Sequence, residues 1–309
     1  MPNIALLGGA RRVTLAEQID SLLQPQGGAR FYSLERSEDF YPISAVAEVV
    51  AAPKFKDADF DIYLSEFLKM RRASVLGCMD AAIPSIARLA GKDFGGGRIV
   101  GPSLQGAEIS LNKALTSEFC EQVSIRHPRR YFSNLKEKIT VIAKPIEGFG
   151  GKGIHILGPD QHHLLSGLES THIIQELIRG AETTHDLYID EKGNVHASSR
   201  DRLAVIDGEV DHCVVRQPRE SEMAVFDKIA RSGLFWGPLT VQTFQSDSGE
   251  TVLIEINARL GGGVTASIAA GFPVIELFVE ESFGISLPRR EFRPLEMKRA
   301  RRDFYRFIA

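Results

Sequence analysis

The chain has 309 residues, long enough for two domains or one subdivided domain. Its 43 % hydrophobic and 25 % charged content is that of a globular protein, and a net charge of −3 gives no global pull toward nucleic acid or an anionic membrane. Cys78, Cys120 and Cys213 are scattered with no CxxC or Cys/His cluster, which excludes a disulfide scaffold or a zinc site.

A reducing cytoplasmic setting is therefore expected. No apolar run approaches the roughly 20 residues of a membrane span. The start, Met1 to Gly8, lacks the basic region and cleavage pattern of a signal peptide and reads as a first strand.

The first hundred residues alternate strand and helix signals. Ile4 to Leu7 is a short apolar run, Gly8-Gly9 a turn, and Thr14 to Leu23 is helical in period. Ala29 to Leu34 is a second strand, Asp61 to Met70 a helix or strand, Ala73 to Gly77 a third strand, and Ala81 to Ala90 a helix. Such alternation implies βαβ units and a parallel sheet. Gly95-Gly96-Gly97 closes this block, placing an α/β unit over residues 1–105.

A helix is predicted from Gly106 to Gln122, carrying Asn112-Lys113. Strands follow at Ile139–Pro145, Gly153–Leu157 and Thr171–Ile178, ending a second unit near residue 180. Residues 181–309 open with a hairpin, Asp186–Asp190 and Val195–Val205. A helix from Ser221 to Gly233, a hairpin of Leu239–Gln245 and Thr251–Asn257, and a helix from Pro273 to Phe283 complete it. The tail from Arg289 carries eight basic and three acidic residues. It reads as a solvated face pairing with acidic surface rather than a nucleic-acid patch.

Four segments carry chemistry. Glu255 and Asn257 lie two apart on a strand and so share one face, where two hard oxygens suit Mg²⁺ carrying nucleotide phosphates. Arg259 follows with a planar fork for a phosphoryl oxygen, and Gly261-Gly262-Gly263 permits close backbone approach. Gln242 on the neighbouring strand supplies a possible third oxygen. Lys144 ends a strand as a point charge for phosphate, and Gly148, Gly150, Gly151 and Gly153 form a loop whose N–H groups can fold over phosphates. This is not a GxxxxGK[ST] loop, because it precedes a strand rather than a helix. Finally, Gln175-Glu176-Leu177-Ile178 followed by Glu182 suits adenosine: backbone at Leu177 and Ile178 for the adenine edge, the Glu182 carboxylate for the ribose hydroxyls.

In order and spacing these segments resemble the ATP-grasp superfamily. Ile142-Ala-Lys144-Pro-x-x-Gly148-x-Gly-Gly-x-Gly153 is similar to its lysine and glycine-lid hairpin, and Gln175-Glu-Leu-Ile-x-Gly-x-Glu182 to its hinge and ribose segment. Gln242 with Ile254-Glu-Ile-Asn257-x-Arg259 is similar to its metal and phosphate segment, and Lys113 to its first phosphate-contacting lysine. The resemblance spans about residues 105–285, and more weakly the α/β unit before it. It implies an α/β fold: a Rossmann-like unit, then a two-lobed grasp with a lid-bearing lobe (106–180) and a metal-bearing lobe (181–309).

The branch it resembles is that of carbamoyl-phosphate-synthase-like and pyrrolysine-biosynthesis-like carboxylate–amine ligases, where the upstream metal position can be glutamine. The D-alanine ligase branch usually has an acid there. The resemblance implies ATP and Mg²⁺ as cofactors, with Mn²⁺ able to substitute. It also implies small-molecule carboxylate and amine substrates joined through an acyl phosphate, with ADP and phosphate released. Nucleic acid and membrane are not expected partners, and a homodimer is left open. Arg202, two along from Arg200 on a predicted strand, can meet the phosphates or acyl phosphate, with Arg259 and Lys144; a surface strand with solvated arginines is the alternative.

Rival readings are narrower. Gly8-Gly9-Ala10 with Glu35 imitates a dinucleotide site, yet the third glycine of GxGxxG is missing. Arg11 or Arg12 there can instead hold a substrate carboxylate. A non-catalytic ATP-binding regulator on the same fold is the non-enzymatic alternative. Carboxyphosphate or carbamate chemistry is the enzymatic one, although 309 residues contain neither a glutaminase domain nor a second synthetase half. His155, His185 and His212 are isolated and read as packed or exposed rather than as ligands.

Overall fold

The computed structural model describes residues 1–37, 39–148, 152–206, 208–300 and 302–306. The N-terminal unit runs β1 (Asn3–Leu7), α1 (Val13–Leu23), β2 (Arg30–Glu35), β3 (Glu48–Ala51), α2 (Phe60–Arg71), β4 (Ala73–Gly77) and α3 (Ile83–Leu89). Its four strands are parallel in the order β3-β2-β1-β4. Alternate residues of β1 serve two cores, as the period of two requires. Ile4 and Leu6 pack with Val13, Ile19 and Leu23 of α1, while Ala5 and Leu7 pack with residues of α2 and α3. Burial on both faces explains the unbroken apolar run. Asp61–Met70 is helix. β3 was not expected: its residues are at most half-buried on the sheet edge, so they carry little apolar signal.

The predicted helix over 106–122 is two helices, α4 (Leu104–Leu111) and α5 (Lys113–Gln122). Asn112 breaks it with an extended backbone, φ −123°, and its Oδ1 accepts from the N–H of Ala114 (2.9 Å) and Leu115 (3.2 Å). It is an N-cap, the role asparagine performs best, and it makes Lys113 the first residue of a helix.

Next, β5 (Arg130–Tyr131), β6 (Val141–Pro145), β7 (His155–Leu157), α6 (Leu165–Leu168) and β8 (His172–Glu176) build an antiparallel sheet in the order β5-β8-β6-β7. The last unit holds β9 (Gly180–Ile189), β10 (Val195–Ile206), β11 (Glu209–Arg216), α7 (Glu220–Arg231), β12 (Gly237–Ser246), β13 (Thr251–Asn257), α8 (Val264–Ala269), α9 (Val274–Phe283) and β14 (Leu295–Lys298). Its strands form one antiparallel sheet, β13-β12-β9-β10-β11-β14.

That sheet has two unlike faces. Leu187, Leu239, Val241 and Ile256 face a core shared with α4, α5 and α7. His185 lies on this side against Phe226, its Nδ1 2.8 Å from Ser199 Oγ and its Nε2 2.8 Å from Thr243 Oγ1. Burial lowers its pKa to about 4. A neutral ring fits the network: Nδ1–H donates to Ser199, whose hydroxyl passes on to Glu222 at 3.1 Å. The other face carries Tyr188, which joins Val264, Ile268 and Phe278 of α8 and α9 in the core that also holds α1. The N-terminal sheet is thereby fastened to the C-terminal unit.

The basic tail was expected to be a solvated face meeting acidic surface. It does meet acids: Arg290 pairs with the buried Glu276 at 3.1 Å and Arg302 with Glu17 at 2.6 Å. It also supplies β14, an edge strand the sequence pattern did not reveal. No helix among the described residues is long and apolar enough to cross a membrane.

Candidate active site

The face of the large sheet away from α7 carries the predicted metal ligands. Gln242 is the direct cross-strand partner of Glu255, and Thr240 of Asn257. Partners opposite one another point to the same side, so the oxygens of Gln242, Glu255 and Asn257 share it. No group of three His, Cys, Asp or Glu positioned for a metal occurs among the described residues. One carboxylate with two amides is a donor set that fits Mg²⁺ arriving with nucleotide phosphates, since Mg²⁺ usually takes one or two carboxylates plus phosphates and water.

Cations approach this face from two other elements. Lys113, first residue of α5, donates from Nζ to the Gly148 carbonyl at 2.9 Å and lies 3.8 Å from Glu255 Oε1. Its backbone N–H bonds Ile146 O at 3.0 Å, so the loop after β6 is tied to the start of α5. Lys144, near the end of β6, is half-buried. Desolvation lowers its pKa, opposed by the negative charges of Glu255 and Glu182, with Lys113 adding to the fall. Those couplings bring Lys113, Lys144, Glu182 and Glu255 into one electrostatic cluster although they come from four separate segments. Gly153 sits at φ +72°, a backbone glycine adopts without strain. Gly150 and Gly151 lie outside the described residues.

The residues expected to form the hinge divide. Gln175 is buried, and its amide donates to Ser117 Oγ at 3.1 Å. The Glu176 carboxylate takes Arg126 Nη2 at 3.0 and 2.9 Å and the Arg129 N–H at 3.1 Å. These two side chains brace the strand from behind. Leu177 and Ile178 are half-buried between β8 and β9, and Glu182 follows on β9, paired with Arg202. Arg202 is thus beside the expected ribose acid.

Arg200 is neither a phosphate ligand nor a solvated arginine. It is 2 % exposed and bonds Asp186 through Nε at 2.7 Å and Nη2 at 3.0 Å, with Ser267 Oγ a further 2.6 Å from that carboxylate. Its guanidinium lies beneath Gly263: a Cβ there would stand 2.1 Å from Nη1. Above the same loop, Gly262 lies against Arg12 and Glu209, and Arg299 donates to Gly262 O at 2.8 Å and to Glu209. The triple-glycine stretch is held on both sides, not loose.

Arg259 turns toward the N-terminal unit. Its Nε donates to Asp80 Oδ1 at 2.7 Å, Nη2 to Oδ2 at 3.2 Å, and Nη1 to the Leu260 carbonyl at 3.2 Å. Asp80 follows β4, whose Gly77 carbonyl accepts from the Leu260 N–H at 3.2 Å. Sequence reasoning did not single out Asp80 or Asp186. The one local signal for Asp80 was an acid opening a short turn just past a strand.

The dinucleotide rival meets steric obstacles. A Cβ on Gly8 would lie 2.6 Å from Met79 Sδ, so Met79 covers the turn a pyrophosphate would need. The Glu35 carboxylate is engaged by Ser33 Oγ at 2.6 Å and by the backbone of Ala10 and Gly9. Burial nevertheless raises its pKa. Arg12 Nη1 lies 3.5 Å from Glu209 at this crevice.

Residues 169–300 match the model of a family described as ATP-grasp in the biosynthetic pathway with Ter operon. That span holds Gln175–Ile178, Glu182 and β13. No curated protein matches the sequence. Among solved structures, N5-carboxyaminoimidazole synthetase of Staphylococcus aureus complexed with ADP matches with a TM-score of 0.72 and 16 % identity, over 96 % of this chain and 82 % of that one. The ribonucleotide synthetase of the same name from Thermotoga maritima gives 0.69 and 16 %, over 94 % and 78 %. L-amino acid ligase from Bacillus licheniformis gives 0.66 and 18 %, over 91 % and 74 %. The chain shares its fold with these structures, a parallel α/β unit followed by two antiparallel lobes, and carries the ATP-grasp match within residues 169–300.

Proposed function

We propose that this protein is an ATP- and Mg²⁺-dependent carboxylate–amine ligase that works through an acyl phosphate and releases ADP and phosphate. The observation that carries the reading is the meeting of Lys113, Lys144, Glu182 and Glu255 beside the loop after β6. Two cations, a metal carboxylate and a ribose-type acid at one place suit a bound nucleoside triphosphate. Glu255, Asn257 and Gln242 would hold Mg²⁺ against the phosphates, and the metal would neutralise charge on the transferring phosphoryl group. Lys113 and Lys144 add fixed positive charge there, the electrostatic preorganisation on which phosphoryl transfer depends. Glu182 accepts from the ribose hydroxyls, and the main chain at Leu177 and Ile178 meets the adenine edge. Lys113, already bonded to Gly148, ties the glycine loop down and helps exclude water.

A free carboxylate is a poor electrophile. In the reading proposed, a substrate carboxylate oxygen attacks the γ-phosphorus and the bond to the β-phosphate oxygen breaks, leaving ADP. The amine then attacks the carbonyl carbon, phosphate departs with the bonding pair, and the amine nitrogen loses its proton. Arg259 steadies the phosphoryl group in both steps, and Arg202 lies beside Glu182 at the same face.

The test is ADP release across a panel of carboxylic acids, amino acids and bicarbonate, with hydroxylamine in place of the amine. An acid-dependent hydroxamate with stoichiometric ADP supports the reading. AMP and pyrophosphate point to an adenylating ligase, and release with bicarbonate alone to carboxyphosphate chemistry. Nucleotide binding without turnover for any acid favours a regulator.

A further inference from the structure

We infer that Asp80 is a positioning residue for phosphoryl transfer, presetting the Arg259 guanidinium for the phosphoryl group in flight; the inference rests on the ligase reading above. Asp80 lies 179 residues from Arg259 in sequence and belongs to the N-terminal unit, outside both lobes of the grasp. Its two oxygens take Nε and Nη2 at 2.7 and 3.2 Å, a bidentate pair that fixes the plane of the fork as well as its position. The side chains are only 17 % and 23 % exposed, so the pair is partly shielded from water.

The hydrogen count supports this role. A guanidinium has five N–H groups. Asp80 engages one on Nε and one on Nη2, and the Leu260 carbonyl engages one on Nη1. One N–H remains on each terminal nitrogen, a complete set for gripping one phosphoryl group. The peptide unit that follows Arg259 is anchored at both its N–H and its carbonyl. Leu260 N–H bonds Gly77 O at 3.2 Å, and Thr240 Oγ1 donates to Arg259 O at 3.0 Å. Gly77 is packed tightly against Ile86, where a Cβ would lie 2.8 Å from Cδ1, and a Cβ there would meet Arg259 Cβ at an ordinary contact distance of 3.6 Å. Without Asp80 the long side chain would have to find its working rotamer in every turnover.

The experiment needs no substrate. Mg·ADP binding is measured by calorimetry with and without aluminium fluoride, which occupies the place of the transferring phosphoryl group. The proteins compared are wild type, D80N, R259K, the double variant and D80E. The expected result is Mg·ADP affinity within about threefold throughout, and a fluoride gain reduced about tenfold, on the order of 1.4 kcal/mol, in D80N and in R259K. The double variant should lose no more than R259K alone, because Asp80 acts through Arg259, and D80E should recover part of the gain. D80N keeping the full gain overturns the inference. So does a second, independent tenfold loss in the double variant, or an equal loss of Mg·ADP itself, which would mark a structural role only. Wild type binding Mg·ADP with no fluoride gain overturns it as well, since a preset fork needs no acceptor. Wild type binding no Mg·ADP removes the ligase reading and this inference together. If D80N does not fold, D80E and Asp80→Ser carry the same comparison.

Discussion

Gly263→Ala isolates the contact between the glycine loop and the buried Arg200–Asp186 pair. Gly263 has φ −97°, which alanine adopts freely, so backbone strain plays no part. The loss of unfolded-state freedom alone would stabilise the variant by about 0.4–1 kcal/mol. Against this, the new methyl would stand 2.1 Å from Arg200 Nη1 and 2.7 Å from both Arg200 Cζ and Val210 Cγ1. Contacts of this kind are comfortable at about 3.5–4.0 Å. Either the loop shifts, with an overpacking cost of about 1–3 kcal/mol, or the guanidinium leaves Asp186. Breaking such a pair inside a protein costs about 3–5 kcal/mol. We expect a net loss of roughly 2–4 kcal/mol, a fall in melting temperature of several degrees. Gly262→Ala is the control, because its methyl meets only the tips of Arg12 and Glu209, at 3.1 and 3.2 Å. It should cost less than about 1 kcal/mol. Thermal melts of the three proteins decide it. A Gly263→Ala melt within a degree of wild type would refute the claim that Arg200 supports this loop.

The remaining expectations are briefer. Glu255→Gln and Asn257→Ala should each abolish Mg²⁺-dependent ADP release with an unchanged melt, and near-wild-type turnover in both would show the metal assignment wrong. Lys144 titrates below an ordinary lysine because burial disfavours its charge, so ATP affinity should begin to fall at a lower pH than an exposed lysine would give. Lys144→Arg should remove that early fall, and an identical pH profile would count against the placement. Acid stability should be lost in two windows. His185, held neutral with a pKa of about 4 against an ordinary value of 6.5, resists protonation in the fold, so stability declines as pH falls from 6.5 toward 4. Burial pushes Glu222 upward, but Arg216 and the Arg219 N–H outweigh it and bring it to about 2 from 4.5. Its stabilisation is full above pH 4.5 and lost toward pH 2, and Glu222→Gln should flatten the urea midpoint in that range. Amide exchange across Gly148 to Gly153 should slow when Mg·ATP is added; equal rates would argue against a closing loop.

What was legible in the sequence was local and periodic. The parallel sheet showed because Ile4 to Leu7 is buried on both faces, and the shared face of Glu255 and Asn257 followed from the period of two. The break at Asn112 was readable in hindsight, since asparagine ahead of Lys113 is a capping signal. β11 was missed because Asp211 and His212 break its alternation, and β14 because it is only four residues long with no buried position. The pairs Arg259–Asp80 and Arg200–Asp186 join distant segments, and no spacing along one strand predicts a partner on another element. Arg200 shows the point most sharply: its strand pattern fits an exposed arginine as well as a buried one, and only the α8 packing decides.

β14 has a practical meaning for anyone handling this chain. It occupies the outer side of β11 over His212 to Val215, and an uncovered strand edge is a template for pairing with another molecule. A version shortened before Leu295 would present that edge to solvent and take away Arg299, which holds both Glu209 and the glycine loop. Such a trimmed protein should be sticky as well as impaired. Affinity handles are better carried at the other end, beside the exposed Met1.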